Sequence, residues 1–154
     1  LLKLLEDNKP PMMKRRGQEM IKSHILGTPL PRRQRAYTSG NIGPTSTGPH
    51  LDVKRVDGGR FEPNALDNYV VVDDAEFGQV SLGKIRELTN NVGDSFDEHV
   101  ARGSHGIDYG LNSGTEIYVT NGAKVVSSTP TEHGDYVIIE LPTGDQYSFL
   151  HGKG

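Results

Sequence analysis

From Tyr37 onward, apolar and polar residues alternate in short runs bounded by Gly, Pro, Asn and Asp, the period-two pattern of half-buried strands. Six runs carry it: residues 50–56, 69–73, 116–119, 123–127, 136–141 and 146–151. Pro142-Thr143-Gly144-Asp145 supplies a turn between the last two runs, and Asn121-Gly122 another between the middle pair. Residues 57–103 read as an acidic, loop-rich insertion with one short helix near 84–88. The N-terminal 36 residues follow a different rule. Residues 1–5 and 12–26 read as short helical pieces separated by Pro10-Pro11, with Met13, Met20, Ile21 and Ile25 near one helical face. Pro29, Pro31 and Arg32-Arg33-Gln34-Arg35 then predict an extended basic linker. The pattern therefore predicts a mainly β, antiparallel-sheet domain over 37–154, preceded by a helical or extended basic arm over 1–36.

Composition sharpens this division. A chain of 154 residues suits one core with an appendage. Its formal net charge of -3 hides an asymmetry: residues 1–36 hold nine Lys/Arg against three acids, and residues 37–154 hold eight against seventeen. No aromatic residues interleave with the arginines of the arm, so the stacking of a single-strand nucleic-acid binder is missing. The arm reads instead as a solvated linker or a segment docked on a neighbouring subunit. No apolar run approaches the ~20 residues of a membrane span, and no leader pattern is present. A start at Leu1 reads as a processed product or a piece of a longer chain.

The absence of cysteine excludes disulfides, thiolate zinc sites and a cysteine nucleophile, so any metal site must use imidazole and carboxylate. Two pairs suit that chemistry. On a strand, His50 and Asp52 project to one face, with Leu51 on the other. His105 and Asp108 stand three apart beside glycine and converge if the chain turns there. Zinc accepts both ligand types, and a catalytic site needs three protein ligands and an open position; His105, Asp108 and Asp52 could supply the three. One His beside one carboxylate is more often an exposed hydrogen-bonded pair, but two such pairs at glycine-rich strand edges add weight to the metal reading. His99 and His133 read as surface residues. No Gly-x-Ser-x-Gly elbow, phosphate loop or His-Glu-x-x-His occurs, so serine-hydrolase, nucleotide-binding and helix-based metalloprotease readings lack their anchors. With seventeen acids after residue 36, a carboxylate pair for glycoside hydrolysis carries little weight.

At these residues the sequence resembles the lysostaphin/LytM-type zinc endopeptidases, β-sheet enzymes that cut peptide cross-links of bacterial peptidoglycan. Ser104-His105-Gly106-Ile107-Asp108-Tyr109-Gly110 with 114–126 looks like the family's His/Asp zinc pair and following hairpin. Residues 134–151 look like its central hairpin, which ends in a Tyr-x-His-Leu segment. Ser46-Thr47-Gly48-Pro49-His50-Leu51-Asp52 looks like its closing Ser-Thr-Gly-Pro-His-Leu-His motif. Here the closing motif comes first, which points to circular permutation, an arrangement tolerated where connections lie at the surface.

Three positions depart from the family. Ser104 stands where the first zinc His belongs, with His105 one residue on; Asp52 replaces the second His of the closing motif; Phe149 takes the place of the catalytic His, with His151 two residues later on the same predicted strand face. The resemblance implies zinc held by His105, Asp108 and Asp52, with His50 and His151 as catalytic residues that orient the water and stabilise the oxyanion. It implies peptidoglycan as the partner and either a phage virion, as a tail or capsid-associated protein, or the bacterial cell envelope as the setting. The reading from a different class is a non-catalytic structural virion protein that keeps the fold and docks its arm on a neighbour.

Overall fold

The structure is a computed structural model that describes residues 33–44, 46, 48–89, 94–101 and 104–154. The helical pieces expected at 1–5 and 12–26 lie outside the described residues. Residues 33–154 form one compact unit.

The protein is mainly β, with nine strands in two antiparallel sheets and two short helices among the described residues. In chain order these are β1 (Gln34–Thr38), β2 (Leu51–Arg55), β3 (Val70–Asp74), β4 (Gly78–Ser81), α1 (Leu82–Leu88), α2 (Phe96–Ala101), β5 (Ile107–Tyr109), β6 (Glu116–Val119), β7 (Lys124–Thr131), β8 (Gly134–Glu140) and β9 (Gln146–Gly152). One sheet has the order β1-β6-β3-β4 and the other β5-β2-β9-β8-β7. No helix among the described residues is long and apolar enough to cross a membrane.

Alternation decides which face of each strand is buried. In the four-stranded sheet Tyr37, Ile117 and Val72 lie opposite one another, as do Val119 and Val70, and all five are fully buried. In the five-stranded sheet Leu51, Val53, Ile107, Tyr109, Phe149, Val137 and Ile139 do the same. Both inner faces, with Leu82 and Ile85 of α1, contribute to one hydrophobic core. Tyr37 fastens the two sheets: its ring tilts against Phe149, its hydroxyl donates to the Asp135 carbonyl at 2.6 Å, and the Gly152 amide donates to that hydroxyl at 2.7 Å.

The segment expected to be loop-rich carries β3 and α1 close to the strand expected at 69–73 and the helix expected near 84–88, and adds β4 and α2, so that half of the four-stranded sheet comes from it. Gln34–Thr38 pairs with β6, so the stretch read as the end of a basic linker is an edge strand with its first two residues exposed. β7 and β8 extend beyond the expected runs into a hairpin closed at Glu132-His133.

Candidate metal centre

The second face of the five-stranded sheet holds the chemistry. β2 lies between β5 and β9, with Asp52 opposite both Asp108 and Leu150. Because Leu51 and Val53 point into the core, Asp52 and Asp108 share the other face. Two like charges directly opposite each other in an antiparallel pair repel, and both are shielded from solvent: their side chains are 9% and 16% exposed. Each has one buried oxygen, Asp52 Oδ1 and Asp108 Oδ1, with no hydrogen-bond partner. A pair of this kind calls for cations.

Three imidazoles surround it. His99 is buried on α2, where a reciprocal cap starts the helix: the Glu98 amide donates to Ser95 Oγ, and the Ser95 amide donates to Glu98 Oε1. The His99 Nδ1–H donates to the Gly106 carbonyl at 2.7 Å, which turns Nε2 to within 3.2 Å of Asp108 Oδ2 and 3.6 Å of Asp94 Oδ2. His50 Nδ1–H donates to the Gly48 carbonyl at 2.7 Å, with Nε2 3.8 Å from Asp108 Oδ1. His151 Nδ1–H donates to the Ile42 carbonyl at 2.8 Å, with Nε2 3.8 Å from Asp52 Oδ2. Each ring is thus anchored through Nδ1 by a backbone acceptor and presents Nε2 to a carboxylate, the way a protein fixes the tautomer of a metal-binding or proton-transferring imidazole.

The hydrogen bond to Asp108 raises the pKa of His99 above its ordinary value, against the opposing effect of burial. Burial works against the charge of Asp108, yet the hydrogen bond from His99, the charges of His99 and His50, and a hydrogen bond accepted from the Asp94 backbone together hold its carboxyl below the usual range. The backbone of Asp108 is fixed on both sides: its amide donates to the Asp94 carbonyl at 2.8 Å, and its carbonyl accepts from Arg86 Nε of α1 at 3.2 Å. Among the described residues, one group offers three ligand atoms all within 4.8 Å of one another: Asp52, His99 and Asp108. With two orphaned carboxylate oxygens beside an anchored imidazole, this donor set fits a metal ion.

Of the residues singled out from sequence, the structure gathers His50, Asp52, Asp108 and His151 at one place. His50 and His151 lie against each other with ring centroids 4.8 Å apart and planes tilted by 48°. His105 is exposed, with its ring 6.3 Å from that of Phe96, and it is His99 that reaches the carboxylates. His99 is therefore not the surface residue expected. His133 is half-buried near His151.

The expectation that Phe149 and His151 share a strand face also fails, for a physical reason. Phe149 is fully buried against Tyr37. Between Phe149 and Gly152, β9 places two residues against the single Tyr136 of β8, a bulge, and His151 takes φ 76°. The bulge breaks the alternation and turns the imidazole onto the face of Asp52.

Compared with protein-family models, curated proteins and solved structures, the chain matches none.

Proposed function

We propose that this is a zinc-dependent endopeptidase domain of the lysostaphin/LytM type, circularly permuted, which cleaves peptide cross-links of peptidoglycan. The observation that carries the reading is the convergence of three backbone-anchored imidazoles on two buried, facing carboxylates with unpartnered oxygens. The strands bearing His50-Leu51-Asp52, Ile107-Asp108-Tyr109 and Phe149-Leu150-His151 are neighbours in one sheet although they lie far apart in sequence, as the three resembling motifs require.

In this reading His99, Asp108 and Asp52 hold the ion, and His99 takes the ligand role that the motif comparison gives to His105. Bound zinc would supply a water of lowered pKa and a Lewis acid for the scissile carbonyl. His50 and His151 present Nε2 atoms 3.8 Å from Asp108 and Asp52 respectively, so each can hold or pass a proton beside the reacting carbonyl. Their Nδ1 anchors to Gly48 and Ile42 fix ring orientation, so this geometry is set before substrate arrives.

The test is release of soluble peptides and new amino groups from purified cell walls by zinc-loaded protein, with Asp108→Asn and a chelated sample alongside. The account predicts release by the loaded protein, and loss of at least ~100-fold in Asp108→Asn, in line with removal of a metal ligand or its partner. No release by zinc-loaded protein from walls of varied cross-link chemistry would overturn the enzymatic reading in favour of a structural role.

A further inference from the structure

Lys54 stands two residues beyond Asp52 on β2, so both side chains leave the same face of the strand. Its Nζ lies 2.6 Å from Asp52 Oδ2, and its side chain is one-third exposed whereas that of Asp52 is almost wholly covered. The contact leaves Asp52 Oδ1 as the oxygen without a partner. The lysine stem is held in place by Gly106: a Cβ on that glycine would come within 2.7 Å of Lys54 Cγ and 3.3 Å of Asp52 Oδ1. The other groups facing Asp52 are Asp108 across the strand pair, His151 Nε2 at 3.8 Å and His99, whose ligand nitrogen lies within 4.8 Å. The adjacent arginine, Arg55, is directed to Asp57 and Asp145 instead.

Charge accounting gives this ion pair a meaning. Two carboxylates and one neutral imidazole form a ligand set of charge -2, which holds a divalent cation tightly but quenches its positive charge. An ammonium fixed on one carboxylate returns the set to -1, the charge of two imidazoles and one carboxylate, and repels the incoming dication.

We propose that Lys54 sets the charge of the metal site: held on Asp52 Oδ2, it makes Asp52 a one-oxygen, charge-compensated ligand, so that the site binds its divalent cation less tightly and leaves the ion more electrophilic than the bare carboxylate pair would. Lys54 is a positioning residue in this scheme, and the inference rests on the metal-site reading above.

The experiment measures Zn²⁺ affinity at fixed pH and ionic strength by competition with a chromophoric chelator, in the intact chain and in Lys54→Met, Lys54→Gln and Lys54→Arg. The two neutral variants are expected to bind zinc at least ~10-fold more tightly, while Lys54→Arg stays within about threefold of the parent, since changes to the groups that hold metal ligands commonly move metal affinity by ~10–100-fold. A merely structural role for the lysine predicts the opposite sign, because a loosened Asp52 is a poorer ligand. Equal or weaker binding by both neutral variants, with the parent binding zinc, overturns the role of Lys54 alone. Absence of zinc binding in the parent and in every variant overturns the metal site itself.

Discussion

Replacing Gly106 by alanine probes the strand contact on which the centre is built. Gly106 adopts φ +108°, where a side chain is strained whatever the surrounding space, at a cost of about 1–3 kcal/mol. Space is absent as well: the new Cβ would overlap the Val53 carbonyl oxygen, part of the β2 backbone, and press on Lys54 Cγ. A strand carbonyl cannot rotate away as a flexible side chain can, so β2 and the Gly106 backbone must separate, an overpacking cost of about 1–3 kcal/mol. The sum is about 2–6 kcal/mol, reduced by the ~0.4–1 kcal/mol that alanine gains by restricting the unfolded chain.

Gly58→Ala is the matched control, because Gly58 also has a positive φ, +80°, but nothing lies within 4 Å of its would-be Cβ. Its cost should be about 1–2 kcal/mol, the backbone penalty alone. Urea unfolding followed by far-UV circular dichroism, with m-values compared to keep the two-state treatment valid, reads the difference. A loss at Gly106 exceeding that at Gly58 by about 2 kcal/mol or more is expected. Equal losses at the two sites would refute the close approach of β2 to Gly106, and with it the anchoring of His99 through the Gly106 carbonyl.

Two further outcomes follow from the same contacts. Tyr37→Phe removes a hydroxyl that both donates to Asp135 and accepts from the buried Gly152 amide, and stranding that amide should cost about 1–3 kcal/mol in urea unfolding; a loss below about 0.5 kcal/mol, the size of an ordinary surface change, would argue against the bridge. In metal-free protein, the raised pKa of His99 stabilises the fold below the unfolded value near ~6.5 and is lost as pH rises through the folded value, while the lowered pKa of Asp108 stabilises it above ~4 and is lost as pH falls. Chelated protein should therefore lose stability as pH rises above about 6.5. His99→Gln should flatten that limb, and an unchanged decline in the variant would remove His99 as its source.

How much was legible beforehand differs from element to element. Runs with clean alternation and turn residues at both ends, such as those of β6, β8 and β9, stand within a residue or two of the expected places, because burial of one face is written directly into the sequence. β1 was hidden because its buried residues, Ala36 and Tyr37, are adjacent and so break the alternation, and because it opens on the exposed Gln34 and Arg35. β5 is only three residues long, too short for alternation to register, and β4 buries none of its four residues, so it has no alternation of buried and exposed positions that the sequence could announce.

At the site, His50 and Asp52 were readable since they lie on one strand face, and Asp108 since it is flanked by glycine and a core tyrosine. His99 lay beyond any local motif with Asp108, yet Ser95-x-x-Glu98 is a capping-box signal that marks a helix start just before it. The orientation of His151 depends on a bulge and a left-handed backbone at a non-glycine residue, which nothing local in the sequence announces. Lys54 is an ordinary outward-facing lysine until the register of β2 is known.

The central claim is that Asp52, His99 and Asp108 form a metal centre, and the most direct measurement is zinc stoichiometry by elemental analysis after loading and exhaustive dialysis, in the parent, His99→Ala and His105→Ala. The account predicts about one zinc per chain in the parent and in His105→Ala, as for a single three-ligand site, and none retained by folded His99→Ala. Zinc held equally by His99→Ala, or lost on removal of His105 instead, would contradict it.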